Sequence, residues 1–237
     1  MKTRENYRRL ARLATIGAAT LSCLVLLLGG TGVQADDGRA FGQRYKVTIT
    51  NLTYDQIISP PVVVVHDERF DLFEPGQPVG SELATLAEDG MTGPLAGLVE
   101  VSKGVYDYAV AGSGIPPGGS VNVVVRARGR ASNLSLAGML VSTNDAFVGL
   151  DGYALPRGFF AFGASSVDAQ AYDAGSEANT ESCDHIPGPP CGSPGIRVTE
   201  GAEGFVHVHR GIQGVGTLEV PSKDWRNPVA RIVIRRM

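Results

Sequence analysis

The sequence predicts an all-β fold, an antiparallel β-sandwich with one short helix. Short segments rich in valine, isoleucine and aromatic residues, about ten in all, follow one another along the chain. Glycine, proline, asparagine and serine separate them, and the 31 glycines among 237 residues suit the many turns of such a fold. The segments do not alternate with helical patterns, which argues against a parallel sheet. A closed barrel is the alternative arrangement.

Individual segments support the strand prediction in order. Residues 44–51, RYKVTITN, alternate, with Tyr45, Val47 and Ile49 on one face, as in a half-buried strand. Residues 60–67, PPVVVVHD, form an apolar β-branched run that suits a fully buried strand. The other predicted strands are GLVEVSK (97–103), VYDYAV (105–110), SVNVVVRAR (120–128), LSLAGMLVST (134–143), GFFAF (158–162), VDAQAYD (167–173), GFVHVHR (204–210) and ARIVIRR (230–236).

One stretch has helical periodicity. Residues 81–90, SELATLAEDG, place Leu83, Leu86 and Ala87 on one side of a helix. No internal repeat and no linker-like break interrupts the strand-rich region, so we expect one domain.

The first 35 residues have the pattern of a secretory signal. Five basic residues precede an apolar run over about residues 13–30, and a small-x-small site follows at 33–35. A permanent transmembrane anchor is the rival interpretation, since the run approaches the roughly 18 residues that span a bilayer. Lipidation at Cys23 is a weaker one, because five apolar residues follow that cysteine.

We therefore expect a signal peptide (1–35), a flexible mature N-terminus (36–43) and one domain (44–237), secreted or periplasmic, monomeric and without a transmembrane helix. Cleavage would remove five of the 21 Lys and Arg and one of the 24 Asp and Glu, leaving a formal net charge of −7. An acidic exported chain is a poor nucleic-acid binder, which needs basic clusters, and a reasonable binder of cations.

Three acids are predicted to meet at one rim of the sandwich. If strand 134–143 runs upward, the acidic loop 144–158 lies at the top, strand 158–162 returns, and strand 167–173 runs up again. Asp173 then emerges beside Asp145, and Glu177 follows four residues later, across a glycine. Gathered carboxylates repel one another unless a cation or proton intervenes. Calcium accepts oxygen ligands from irregular loops, whereas zinc more often recruits His or Cys. Solvated loop charges are the alternative.

Two cysteines remain after signal cleavage, Cys183 and Cys191. An even pair in an oxidising compartment indicates a disulfide, which would staple the loop after Asp173. Two free thiols are the alternative.

A second metal hypothesis comes from the segment GFVHVHRG. Val206 and Val208 would face the core, which leaves His207 and His209 on one outward face. Such a pair binds zinc or copper if a third ligand approaches, and His66 or His185 are candidates. Surface or packing histidines are the alternative.

No catalytic motif stands out. The chain contains no nucleophile elbow, no HExxH pair and no phosphate-cradling glycine loop. We expect a protein that is not an enzyme, and an unrecognised extracytoplasmic enzyme is an alternative.

Over residues 44–236 the chain resembles the spondin domain, the amino-terminal-type module of F-spondin, in a bacterial secreted form. The matching stretches are VTITNLTYDQIISPPVVVVHD, GSGIPPGGSVNVVV, LAGMLVSTNDAFVGLDG, YDAGSEANTE, GFVHVHRGIQG and DWRNPVARIVIRR. The resemblance implies a β-sandwich similar to calcium-dependent lipid-binding modules, with Ca²⁺ held by loops at one end.

The same resemblance implies the ligands and the role. The family's aspartate in a stretch like STNDAFVGL maps onto Asp145, and the acids of its DAG-x-acid loop map onto Asp173 and Glu177. The second acid is Asp in animal members and Glu here, and glutamate still ligates calcium, often through both oxygens. We expect a calcium-binding module for adhesion or binding at or outside the cell surface, with a protein, polysaccharide or lipid surface as partner.

Overall fold

The computed structural model describes residues 42–157, 163–193 and 195–237. The predicted signal peptide, most of the 36–43 segment and the predicted strand 158–162 lie outside these residues. The described chain contains nine strands and three helices: β1 (Gln43–Asn51), β2 (Val62–His66), α1 (Ser81–Asp89), α2 (Thr92–Val101), β3 (Val105–Val110), β4 (Ser120–Ala127), β5 (Asn133–Met139), β6 (Ala146–Ala154), β7 (Ala164–Asp173), β8 (His207–Val208), α3 (Val220–Lys223) and β9 (Ala230–Arg236).

All strand pairings are antiparallel, in the order β3-β2-β5-β6-β7-β9-β1-β4, with β8 added beside β7. Strand β7 belongs to both layers of the sandwich: residues 164–169 pair with β9, and residues 170–173 pair with β6. The sheet thus folds over at β7. The outer strands β3 and β4 also meet, since the Arg126 N–H donates to the Asp107 carboxylate at 2.6 Å. The predicted antiparallel sandwich is confirmed, in a nearly closed form.

The strand patterns reflect which faces are covered. Tyr45, Val47 and Ile49 are buried between the layers, as the alternation in β1 predicts. Strand β2 is buried along its whole length because α1 and α2 pack on its outer face. Alternate valines of β2 therefore enter two clusters, the inter-sheet core and a second core beneath the helices.

Predictions for three segments are wrong: residues 97–103, residues 144–158, and residues 204–210, of which only His207–Val208 form a strand. Residues 97–103, predicted as a strand, fall largely in α2, where Leu95 and Val99 are buried at helical spacing. A short apolar run does not distinguish strand from helix by periodicity alone. The predicted loop 144–158 contains strand β6, and the glycines within this strand interrupt the apolar pattern that would predict it. Gly149 is a packing requirement, because a Cβ there would lie 2.7 Å from the Phe73 ring and 2.8 Å from the Tyr172 ring.

Across the described residues, none of the three helices has both the length and the apolar character that a bilayer crossing demands.

Candidate metal centre

Two chain segments meet at one end of the sandwich. The β5–β6 connection ends at Asp145, and the segment that carries Glu177 begins at Asp173, the last residue of β7. Ala146 pairs with Asp173 in the β6–β7 register, and the Ala174 N–H donates to the Asp145 carbonyl at 3.2 Å. The expected shared end is therefore present, and within the described residues β6 lies between β5 and β7, whereas the predicted strand 158–162 lies outside them. Whether these acids bind metal stays a prediction.

Asp145 is fully buried and uses its two carboxylate oxygens differently. Its Oδ2 accepts hydrogen bonds from Ser176 N at 2.8 Å, Ser176 Oγ at 3.2 Å and Glu177 N at 3.0 Å. Its Oδ1 is buried and has no hydrogen-bond partner among the described residues. Burial, followed by the charge of Asp173, raises the Asp145 pKa to about 7, although the hydrogen bonds from Glu177 and Ser176 lower it.

Asp173 is also buried and organises the turn that follows it. Its Oδ1 accepts from Gly175 N at 2.7 Å, and its Oδ2 accepts from Asn179 Nδ2 at 2.7 Å. Burial raises the pKa of this carboxyl, against the lowering effect of the two hydrogen bonds. Gly175 is required here, because its φ is +66° and a Cβ would lie 2.4 Å from the Phe205 carbonyl oxygen.

The buried Glu177 side chain lies on the other side of Asp145, toward α1. Its Oε1 is 4.0 Å from Nε of Arg197, whose guanidinium also pairs with Glu88 at 2.5 Å and with Asp89. Burial, then the charges of Glu88 and Asp145, raise the pKa of Glu177 to about 8. Asp145 thus interacts electrostatically with both other predicted ligands.

The two histidines do not form the predicted outward pair. Val208 is 50% exposed, whereas His209 is only 7% exposed and packs on Trp225 with ring centroids 4.9 Å apart. The prediction is wrong because β8 is only two residues long, so strand alternation does not continue through His209. The His209 Nδ1 accepts from Gly211 N at 3.0 Å, and Nε2 contacts Asn179 Oδ1 at 3.1 Å. Burial lowers the His209 pKa to about 4, so the ring is neutral.

Neither expected third histidine joins this pair. His66 pairs with Asn133 at the far end of β5 from Asp145, and its Nε2 contacts Ser135 Oγ at 2.7 Å. His185 Nδ1 contacts Thr180 Oγ1 at 3.0 Å.

A different set of potential metal ligands comes together beside Asp173. In the part of the chain that the structure describes, the one group of three whose ligand atoms all lie within 4.8 Å of one another is Asp173, Glu203 and His207. Asp145 and Glu177 are outside this group. Glu203 is not predicted from the sequence, although it lies four residues before His207 and the two are separated by a glycine turn.

The predicted disulfide between Cys183 and Cys191 is confirmed, with Cα atoms 4.8 Å apart. The segment that it closes lies on the β5–β6 connection. Ser142 Oγ donates to the Pro189 carbonyl at 2.5 Å, and a Cβ on Gly188 would overlap Val141. The segment closed by the disulfide therefore packs on Val141 and Ser142, in the same connection as Asp145.

A family model described as Spondin_N matches residues 43–191, more than half of the chain. The match includes all three predicted carboxylate ligands and both cysteines, and it ends before Glu203 and His207. No curated protein matches the sequence.

Proposed function

The chain belongs to the Spondin_N family, whose domain is an extracellular-type binding or adhesion module, and from that premise we propose that it is an exported, noncatalytic module stabilised by calcium. Asp145, Asp173 and Glu177 would hold the ion. The fold and the disulfide are consistent with work outside the cytosol.

The observation that carries this proposal is the Oδ1 of Asp145, which is buried and has no hydrogen-bond partner among the residues that the structure describes. A buried carboxylate oxygen without a donor is costly, and a bound cation would supply the missing interaction. The raised pKa values of Asp145, Asp173 and Glu177 have the same origin, since each carboxylate is buried and Asp145 interacts with both of the others. A divalent cation removes that penalty without protonation.

The chemistry of these ligands favours calcium. All three side chains offer carboxylate oxygen, and Asp145 and Glu177 lie in loop segments that can add carbonyl oxygens beside Asp173 at the end of β7, as calcium sites commonly use. The ion would join the β5–β6 connection to the segment after β7. Such a ligand stabilises the native state by about 2.7 kcal/mol when its free concentration is a hundredfold above its dissociation constant.

The binding role follows from the position of the loops. They form one end of the sandwich, where a calcium ion with an open coordination position could also contact an acidic polysaccharide, a lipid head group or a protein carboxylate. We propose one such surface ligand as the partner.

Calorimetric titration of chelator-treated, untagged protein with calcium tests this proposal. We expect one calcium ion per chain in wild type and loss of binding in Asp145→Asn. Asp168→Asn is the matched control, because it neutralises an exposed aspartate on β7 that pairs with Arg231 instead. Wild-type calcium affinity in Asp145→Asn would overturn the assignment.

A further inference from the structure

We infer that the chain carries a second, separate metal site, formed by Asp173, Glu203 and His207, for a transition metal such as zinc. This inference goes beyond the calcium proposal. It shares only Asp173 with that site.

The three ligand atoms are close to the spacing that a metal ion requires. They lie within 4.8 Å of one another, and His207 Nε2 is 3.7 Å from Asp173 Oδ1. Ligand atoms around one tetrahedral zinc ion are about 3.2–3.6 Å apart, given bonds of 2.0–2.2 Å. Glu203 is exposed, so a change of its side-chain rotamer could make the remaining adjustment.

His207 is oriented as a metal-binding histidine. Its Nδ1 donates to the Val208 carbonyl oxygen at 3.1 Å, so Nε2 is the ring nitrogen that faces Asp173. That Nε2 is buried, and no residue in the described ranges forms a hydrogen bond with it. A metal ion bound between this nitrogen and the Asp173 carboxylate would give both atoms a partner. Histidines that bind metals commonly donate their other ring N–H to a carbonyl in this way.

Asn179 holds both carboxylates in place. Its Nδ2 donates to Asp173 Oδ2 at 2.7 Å and reaches Glu203 Oε1 at 3.3 Å, while its Oδ1 contacts His209 Nε2. His209 is therefore a positioning residue, which orients Asn179 and does not bind the metal. Outer hydrogen bonds of this kind orient metal ligands.

The ligand set and its surroundings indicate the type of metal. One imidazole and two carboxylates suit zinc or a similar transition metal better than calcium, which prefers oxygen ligands alone. The three ligands line a cavity of about 540 Å³ that also contains Arg210 and Gln213. With three protein ligands, a tetrahedral ion keeps one position for water or for an oxygen or nitrogen donor of a bound molecule.

Zinc titration against a chromophoric chelator, in saturating calcium and on untagged protein, tests this site. We expect one zinc ion per chain, with affinity at least tenfold weaker in Glu203→Gln and in His207→Gln. Cobalt(II) in the same site should give a visible absorption spectrum typical of four-coordination, which both variants lose. Since Glu203 is exposed, Glu203→Gln should fold normally, and its melting curve checks this.

Two controls separate this inference from the calcium proposal. Asp145→Asn should lose calcium and keep zinc, and His185→Gln, which removes a histidine outside the group, should keep both. Zinc binding without calcium binding would refute the proposed function alone. Absence of zinc binding, which would leave His207 and Asp173 as an ion pair, or unchanged zinc affinity in both site variants would refute the second site.

Discussion

The Oδ2 atom of Asp145 accepts a 3.0 Å hydrogen bond from the backbone N–H of Glu177, 32 residues further along the chain. One predicted ligand therefore shapes the loop that presents another, before any ion binds. The other oxygen of Asp145, Oδ1, is left buried without a donor in the described structure. This division of roles makes Asp145 the centre of the candidate calcium site.

Neutralising Asp145 should change the response to calcium more than it changes the fold. Asp145→Asn keeps an oxygen that can accept from Ser176 and Glu177, and it removes a buried charge. At pH 8 in chelator we expect a melting temperature equal to or above that of wild type. In calcium the variant should lack the increase of several degrees that wild type shows. Thermal melts with and without calcium measure both, and a full calcium response in the variant would count against the site.

Stability without metal should fall as pH rises from 6.5 to 8. The pKa values of Asp145 and Glu177, about 7 and about 8, lie above their ordinary values of 3.8 and 4.5, so the folded state holds protons that the unfolded state has lost. That stabilisation is complete below pH 4 and disappears as pH rises through 8.

Protonation of His209 changes stability in the opposite direction, over a lower pH range. The pKa of His209 is about 4 in the folded state, below its ordinary value of 6.5. The unfolded state therefore binds more protons between these two pH values, so stability rises as pH increases from 4 to 6.5. Above pH 6.5 Asp145 and Glu177 determine how stability changes with pH. Urea denaturation in chelator at half-unit pH steps measures this slope, and a flat or rising curve between pH 6.5 and 8 would be inconsistent with raised pKa values of Asp145 and Glu177.

Gly175→Ala should distort the loop that follows Asp173. The substitution places a Cβ 2.4 Å from the Phe205 carbonyl oxygen at a φ of +66°, and we expect a loss of about 1–3 kcal/mol in the free energy of unfolding together with weaker calcium binding. Gly118→Ala is the matched control, since its φ is +70° and no atom lies within 4 Å of the new Cβ. Equal losses of stability in the two variants would show that close packing at Gly175 is unimportant.

Removing the disulfide should weaken calcium binding as well as stability. In the double variant Cys183→Ser and Cys191→Ser, loss of this short loop closure costs about 2–3 kcal/mol by chain entropy. The segment that supports Ser142 and Val141 would also loosen, so calcium affinity should fall. Chemical denaturation and calcium titration measure the two effects. A stable variant of unchanged affinity would show that the bond is incidental to the site.

The sequence predicts the strands of the core well because their patterns are local. The alternation of Tyr45, Val47 and Ile49 and the fully apolar β2 both follow directly from which faces are covered. The sequence does not predict the features of the fold that depend on tertiary contacts. Position 149 of β6 is a glycine because Phe73 and Tyr172 occupy the space of a side chain, and Leu95 and Val99 of α2 pack in one cluster with β2.

The same distinction applies to the metal ligands. Antiparallel connection and the family resemblance are enough to predict that Asp145 and Asp173 lie at one end of the sandwich. The inward turn of His209 and the approach of Glu203 to Asp173 depend on a two-residue strand and on Asn179, which no periodic pattern reveals.

The most direct test of the calcium assignment is a crystal structure of the calcium-loaded protein, with anomalous scattering to identify the ion. We predict a calcium peak about 2.3–2.6 Å from Asp145 Oδ1 and from carboxylate oxygens of Asp173 and Glu177. A fully loaded crystal in which Asp145 Oδ1 has no ion beside it, or in which calcium binds elsewhere, would contradict it.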